Sequence, residues 1–257
     1  MKTDTTLLLP REDLMVLLDS HVDKRLIHIC AAAGFGKTVC AQQWIEHRNA
    51  KQNVKHAWIK LDDYDDRIAG FCKRLSSALL DLQPLNTKLR DIAEHPNFNT
   101  APDEFTAQAL TAFRNDEQKY VIIIDDLHVI KSVETLRMLP VICSRLPESF
   151  SLLCLSRSEP PDIFADMILK NDIAVISMDN LLFTLEETVM LFEKNMLSIT
   201  NKQAYDIFNA TGGWALGIHT LLVAGEESYE KRLTSRYLET FLKNHIWRVG
   251  MSKQRNT

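Results

Sequence analysis

The sequence predicts an α/β fold: a parallel five-stranded sheet with helices between its strands, followed by a small all-helical domain. Two observations carry this. Five short apolar runs, at residues 26–30, 57–61, 120–124, 151–155 and 173–176, are near-continuous rather than alternating, the pattern of strands buried on both faces. Stretches with helical spacing lie between them, and strands that alternate with helices pair in parallel. After about residue 178 the strand runs stop and only helical signals remain.

The first run (Leu26, Ile27, Ile29, Cys30) enters the small-residue loop Ala31-Ala32-Ala33-Gly34-Phe35-Gly36 and then Lys37-Thr38, where helix-compatible sequence begins. A strand, a tight loop and a helix bring several backbone N–H groups to one point at the positive end of the helix dipole, a natural seat for a phosphate chain. In this P-loop reading Lys37 reaches the β- and γ-phosphates and the Thr38 hydroxyl ligates Mg²⁺. The pattern G-x-x-x-x-G-K-[ST] has Ala31 in place of its first glycine. That change costs little if Ala31 has a negative φ and more if the turn is left-handed.

Helical stripes follow in order: Ile68, Phe71, Cys72, Leu75 and Leu79, then Phe105, Ala109, Leu110 and Phe113. Val133, Leu136 and Leu139 start another, with Pro140 expected to kink or end it. The stretch 94–100 reads as ordinary surface. In the C-terminal part, Thr184-Leu185-Glu186-Glu187 is a capping box opening Val189, Met190 and Phe192. Ala204, Ile207 and Phe208 predict a further helix, and residues 214–223 a third.

The third strand emerges into Asp125-Asp126-Leu127-His128. An acid at the carboxyl end of a strand beside a phosphate loop can provide the hard oxygen that a nucleotide's Mg²⁺ needs, and Asp125 takes that role. Asp126 is then placed to polarise an attacking water. The competing reading is solvation and capping of the next element; the presence of Gly36-Lys37-Thr38 favours the metal reading. His128, a lone histidine without an identified partner, carries little signal. The fourth run ends in Ser156-Arg157. If its strand lies between the first and third, Arg157 faces the γ-phosphate; otherwise it is an exposed strand-end arginine. Thr211-Gly212-Gly213-Trp214-Ala215 is either a turn closing over the adenine or a helix–helix turn with a core tryptophan, and chemistry alone favours the second.

Composition excludes some classes. At 257 residues, 46% hydrophobic and 25% charged, the chain is ordinary globular protein, and its net charge of −4 argues against a nucleic-acid-coating role. Lys243, Arg248, Lys253 and Arg255 follow Glu239 with no further acid, a solvated basic tail. Five scattered cysteines without a C-x-x-C pair or zinc-ligand spacing read as reduced thiols. The start lacks a signal peptide and no run is long enough to span a bilayer, so the expected compartment is the cytoplasm, without membrane contact. No arginine-rich acceptor lid and no Leu-Ser-Gly-Gly-Gln signature is present, which disfavours a kinase or a transport ATPase.

The order of these motifs resembles the nucleotide-binding module of the MalT-like, LuxR-type transcription activators, signal-transduction ATPases of the STAND class. The matching pieces are Leu9-Pro10-Arg11 with Leu14, the loop Ala33-Gly34-Phe35-Gly36-Lys37-Thr38, Trp44, and Ala57-Trp58-Ile59-Lys60-Leu61-Asp62 with Asp65 and Asp66. They continue with Ile124-Asp125-Asp126-Leu127-His128, Leu155-Ser156-Arg157, Leu182-Phe183-Thr184 and Gly213-Trp214-Ala215. The resemblance implies a P-loop NTPase core with strand order 5-1-4-3-2 over residues 1–178, a helical lid domain over 179–244, and a divergent basic tail over 245–257 expected to be disordered. It implies ATP/ADP and Mg²⁺ as ligands. The expected nucleotide contacts are Pro10, Arg11, Ala31, Ala32, Ala33, Gly34, Phe35, Gly36, Lys37, Thr38, Val39, Gly213, Trp214 and Ala215. Lys37, Asp126 and Arg157 are expected to serve hydrolysis, and Thr38 and Asp125 the metal.

Such proteins are switches: ADP holds a closed monomer, ATP with an inducer favours self-association, and slow hydrolysis resets them. This chain has no counterpart of the family's winged-helix, superhelical sensor or helix-turn-helix domains, so it reads as a truncated module from which no direct DNA binding is expected. The expected function is therefore an ATP/ADP switch module, a weak ATPase belonging to a transcription regulator. The alternative is a non-hydrolysing, ADP-bound module that pairs with a full-length regulator.

Overall fold

Five strands pair in parallel in the order β2-β3-β4-β1-β5 in the computed structural model, which describes residues 8–113 and 118–224. They are β1 (Leu26–Cys30), β2 (Val54–Lys60), β3 (Lys119–Asp125), β4 (Phe150–Ser156) and β5 (Ile173–Ile176). This is the order expected from the resemblance, read from the other edge. The expected helical residues beyond 224 and the tail at 245–257 lie outside the described residues.

The described chain divides into two compact units. The larger contains residues 13–31 and 37–177; the smaller contains residues 8–12, 32–36 and 178–224. In the larger unit the central strands β1, β3 and β4 are buried almost end to end, as their apolar runs predict. Strand alternation sends Ile122, Ile124, Leu152 and Cys154 to one face, where they cluster with helices α3 (Ile68–Leu82), α4 (Thr87–Ala93), α5 (Pro102–Thr111) and α7 (Met138–Arg145). The edge strand β2 starts three residues earlier than its apolar run. Lys55 and His56 are exposed there, so its first half is open to solvent as an edge strand can be.

Helix α2 (Lys37–Lys51) is anchored to α1 (Glu12–Asp19) through Asp19. The Asp19 carboxylate accepts from Trp44 Nε1 at 3.0 Å, His47 Nε2 at 3.2 Å and Lys51 Nζ at 3.1 Å. Burial raises the Asp19 pKa, but the hydrogen bonds from Trp44 and Lys51 outweigh it and hold the carboxyl below its ordinary value.

Two local expectations need correction. The helix of Val133 breaks at Arg137, before Pro140, into α6 (Val133–Leu136) and α7. Pro140 then falls in the first turn of α7, where its missing N–H is not needed. The surface stretch 94–100 carries one core residue: Phe98 is buried and stacks on Phe105 with ring centroids 5.7 Å apart. A single aromatic among polar neighbours has no period, so the pattern could not show it. Short helices α8 (Ala165–Leu169) and α9 (Met178–Leu181) escaped notice for the same reason of length. Among the described residues no helix is long and apolar enough to cross a membrane.

The smaller unit holds α9, α10 (Leu185–Lys194), α11 (Asn201–Thr211) and α12 (Ala215–Ala224). The Thr184–Glu187 capping box forms as predicted, and Thr200 with Gln203 forms a second. Leu191, Phe192, Ile207, Ile218, Leu221 and Leu222 make its core. Gly212 ends α11 in the left-handed region at φ 58°, and Gly213 follows at φ 79°. The Gly213 carbonyl accepts from the Phe183 N–H at 2.8 Å, and a Cβ there would lie 2.5 Å from the Phe183 carbonyl oxygen. Only glycine fits that approach.

Candidate functional site

The loop after β1 begins as an extension of the sheet. The Ala31 N–H donates to the Ser156 carbonyl at 3.2 Å, and Ala31 is not among the residues with positive φ. An alanine in place of the first motif glycine is therefore unstrained. The positive φ values fall on Gly34 (80°) and Gly36 (82°), and α2 starts at Lys37. The left-handed positions of the loop thus fall where glycine is present.

The larger unit brings Ala31, Lys37, Thr38, Asp125, Asp126 and Arg157 together at the carboxyl ends of its strands. β4 lies between β1 and β3, with Cys30 opposite Ser156 and Ile124 opposite Cys154, so Arg157 leaves the sheet between the ends of β1 and β3. The Thr38 hydroxyl donates to Asp125 Oδ2 at 3.1 Å, while Asp125 Oδ1 accepts the Asp126 N–H at 2.9 Å. One carboxylate is thereby oriented by both its oxygens. Val39 follows Thr38 in the first turn of α2.

Lys37 Nζ donates to the Ala31 carbonyl at 2.6 Å. Burial lowers its pKa and nearby Arg157 adds to this, against the opposing pull of Asp125 and Asp126. A concentration of positive charge that raises the cost of its own ammonium is suited to an anion. Asp126 has left-handed backbone, φ 60° and ψ 34°, and makes no side-chain cap bond to the turn that follows, so the capping alternative does not describe it. Its carboxylate faces Lys60 at 3.7 Å and His128 Nδ1 at 3.9 Å. Burial and the Arg157 charge lower the His128 pKa, outweighing Asp126.

This donor set fits a magnesium nucleotide: one hydroxyl and one carboxylate as hard oxygen ligands, a lysine, and a helix N-terminus. No group of three or more His, Cys, Asp or Glu side chains able to hold a metal occurs among the described residues.

In the smaller unit the phosphate-loop residues Ala32, Ala33, Gly34, Phe35 and Gly36 meet the start of α12. The Leu216 N–H donates to the Gly34 carbonyl at 3.0 Å, and the Phe35 and Trp214 rings are 6.4 Å apart. A Cβ on Gly34 would lie 2.9 Å from both Leu216 Cβ and Trp214 Cζ2, and one on Gly36 would lie 3.8 Å from Ala215. Trp214, buried, packs on the loop. Pro10 is exposed. Arg11, expected among the nucleotide contacts, donates to Glu187 Oε1 and Oε2 at 2.8 and 3.0 Å and to the Leu181 and Leu182 carbonyls at 2.8 and 2.7 Å. It ties the entry segment to the capped start of α10. The Thr184–Glu187 box was visible in sequence, but a distant arginine partner has no local signal.

No family model matches the chain. In sequence it is similar to the HTH-type transcriptional regulator MalT of Vibrio campbellii, 24% identical over 228 residues, 87% of this chain and 24% of the relative. The regulators of the same name from Vibrio parahaemolyticus and Serratia proteamaculans are 23% and 22% identical, over 87% and 85% of this chain. The chain spans about a quarter of the length of these curated relatives, 24% in each case. Among solved structures it is similar to Cdc6p of Pyrobaculum aerophilum, with TM-score 0.57 and 14% identity over 90% of this chain and 67% of that one. Aeropyrum pernix ORC1 in complex with DNA gives TM-score 0.52 and 14% identity over 90% of this chain and 65% of that one. The chain thus has the P-loop ATPase fold of the Cdc6 and ORC proteins and resembles MalT regulators in sequence, and together these likenesses support a nucleotide-binding module.

Proposed function

We propose that this chain is the ATP/ADP-binding switch module of a MalT-like transcription regulator, dependent on Mg²⁺ and hydrolysing ATP slowly. The observation that carries the reading is the Thr38–Asp125 hydrogen bond at the first turn of α2, which pairs the two oxygen ligands that a nucleotide-bound Mg²⁺ requires. Lys37 supplies the cation for the β- and γ-phosphate oxygens, and the N–H groups of residues 33–38 supply neutral donors. Asp126 orients and deprotonates water, and Arg157 reads the terminal phosphate by its charge. Bound Mg²⁺ contributes neutralisation of phosphate charge. Pro10, Arg11, Gly213, Trp214 and Ala215 belong to the same proposed nucleotide-binding set.

In this reading residues 1–178 are the ATPase core and the helices after them a second domain of a cytoplasmic regulator. Self-association or pairing with a full-length regulator belongs to the same proposal, as does the absence of direct DNA binding by this chain. The test is to denature freshly purified protein and identify released nucleotide by chromatography. Near-stoichiometric ADP supports an intact switch site. Protein that is empty and also fails to bind Mg·ATP or Mg·ADP overturns the reading.

A further inference from the structure

β1 carries one residue that its apolar run does not explain. His28 is fully buried in the middle of the sheet, opposite Cys154 on one side and Val175 on the other. Its Nε2 lies 3.1 Å from the Ser158 carbonyl. A carbonyl only accepts, so Nε2 carries the proton and donates. Nδ1 has no hydrogen-bond partner among the described residues. Burial lowers the His28 pKa, against smaller opposing effects of the Ser158 carbonyl and Glu159, which keeps the ring neutral and the single donor on Nε2. A buried imidazole with one nitrogen unsatisfied is a costly core residue, where a leucine would pack at no such cost. What it obtains is one bond to the segment that leaves β4.

That segment carries Arg157. The guanidinium is exposed and makes no hydrogen bond or ion pair among the described residues. Its position therefore depends on the backbone on either side. On one side Ser156 is tied into the sheet by the Ala31 N–H, and its hydroxyl accepts the Ser158 N–H at 3.2 Å. On the other side the tie comes from β1: His28 holds the Ser158 carbonyl, and Cys30, two residues on and on the same face, feels the charge of Glu159. Burial first, and the Glu159 charge second, push the Cys30 thiol up to about 12, so it remains a protonated donor and not a nucleophile. The His28 side chain thus holds the residue that follows Arg157.

We infer that His28 is a positioning residue for Arg157: its Nε2–H fixes the Ser158 carbonyl and so aims the guanidinium that distinguishes ATP from ADP. The inference rests on the proposed role of Arg157 as reader of the terminal phosphate. It accounts for a histidine inside an otherwise apolar central strand, and it places a specificity determinant one layer beneath the phosphate site.

The experiment uses the 257-residue chain and measures dissociation constants for Mg·ATP and Mg·ADP in wild type, Arg157→Ala, His28→Asn, His28→Leu and His28→Gln. Glutamine can put its amide nitrogen near the place of Nε2, whereas asparagine reaches only as far as Nδ1 and leucine donates nothing. The ratio of ADP to ATP dissociation constants is expected to fall by about tenfold in Arg157→Ala, His28→Asn and His28→Leu, the worth of one charge-assisted hydrogen bond. His28→Gln is expected to keep the wild-type ratio. Hydrogen exchange on nucleotide-free protein gives a second readout: the amides of residues 157–160 should exchange faster in His28→Asn and His28→Leu than in wild type or His28→Gln. If either variant fails to fold, the other carries the test. An unchanged ratio in Arg157→Ala overturns the reading of Arg157 itself and the inference with it. A ratio that falls in Arg157→Ala but not in a folded His28→Asn or His28→Leu, or exchange at 157–160 that does not change in them, overturns the inference alone.

Discussion

The Leu216 N–H donates to the Gly34 carbonyl at 3.0 Å, joining the first turn of α12 to the middle of the phosphate loop. The loop's turn is left-handed at Gly34, and Leu216 and Trp214 crowd the space a side chain would need. A helix N-terminus has free N–H groups to give, and here one of them is given to the loop that our reading assigns to phosphate. The backbone that holds the nucleotide in our reading is thus also a packing surface of the helical unit.

Replacing Lys37 by alanine should weaken Mg·ATP binding by about 10- to 100-fold, the loss of a charge-assisted contact to phosphate. Thermal unfolding of the variant, measured beside binding, separates a loss of affinity from a loss of fold. Titration calorimetry and a melting curve on the same preparation check both parts.

Asp126→Asn should leave the Mg·ATP dissociation constant within about threefold of wild type while lowering turnover by about 100-fold or more, the usual worth of a general base. Single-turnover hydrolysis at saturating ATP measures this. A wild type and a variant that are equally inert would favour the non-hydrolysing interaction module.

The two adjacent glycines should respond differently. Gly213→Ala faces both a φ of 79° and a Cβ 2.5 Å from the Phe183 carbonyl, and should cost ~2–4 kcal/mol in unfolding free energy. Gly212→Ala has a φ of 58° but nothing within 4 Å of the new Cβ, and should cost about 1 kcal/mol. Denaturant unfolding of the two variants side by side tests the contrast.

Asp19 gives a pH dependence with a defined sign. Its folded pKa is held below the ordinary value of 3.8, so the unfolded chain binds the proton more readily between the two. The stabilisation is complete above about pH 4–5 and is lost as pH falls through the folded value. Asp19→Asn should therefore destabilise by about 1–3 kcal/mol at pH 7, through loss of charge-assisted bonds from Trp44, His47 and Lys51. The gap between variant and wild type should close as pH drops below the ordinary carboxylate range. Urea unfolding at several pH values measures it.

Much of this protein was legible in its sequence because the signals are local. Buried parallel strands are continuous apolar runs; a phosphate loop needs glycine, lysine and threonine at set spacing; and a capping box is complete within four residues. Those rules gave the five strands and the start of α10, and they single out Lys37, Thr38 and Asp125, which the fold brings to the carboxyl ends of the strands. The sequence alone did not determine which partners distant residues would find. Strand order put Arg157 between β1 and β3, because parallel strands take neighbours through crossovers that no local pattern records. Tertiary structure also took Arg11 to Glu187, brought Leu216 to Gly34, and gave the buried His28 its single partner at Ser158. Each is an exchange of solvent for one polar group 130 or more residues away, and only the folded chain brings such pairs within reach.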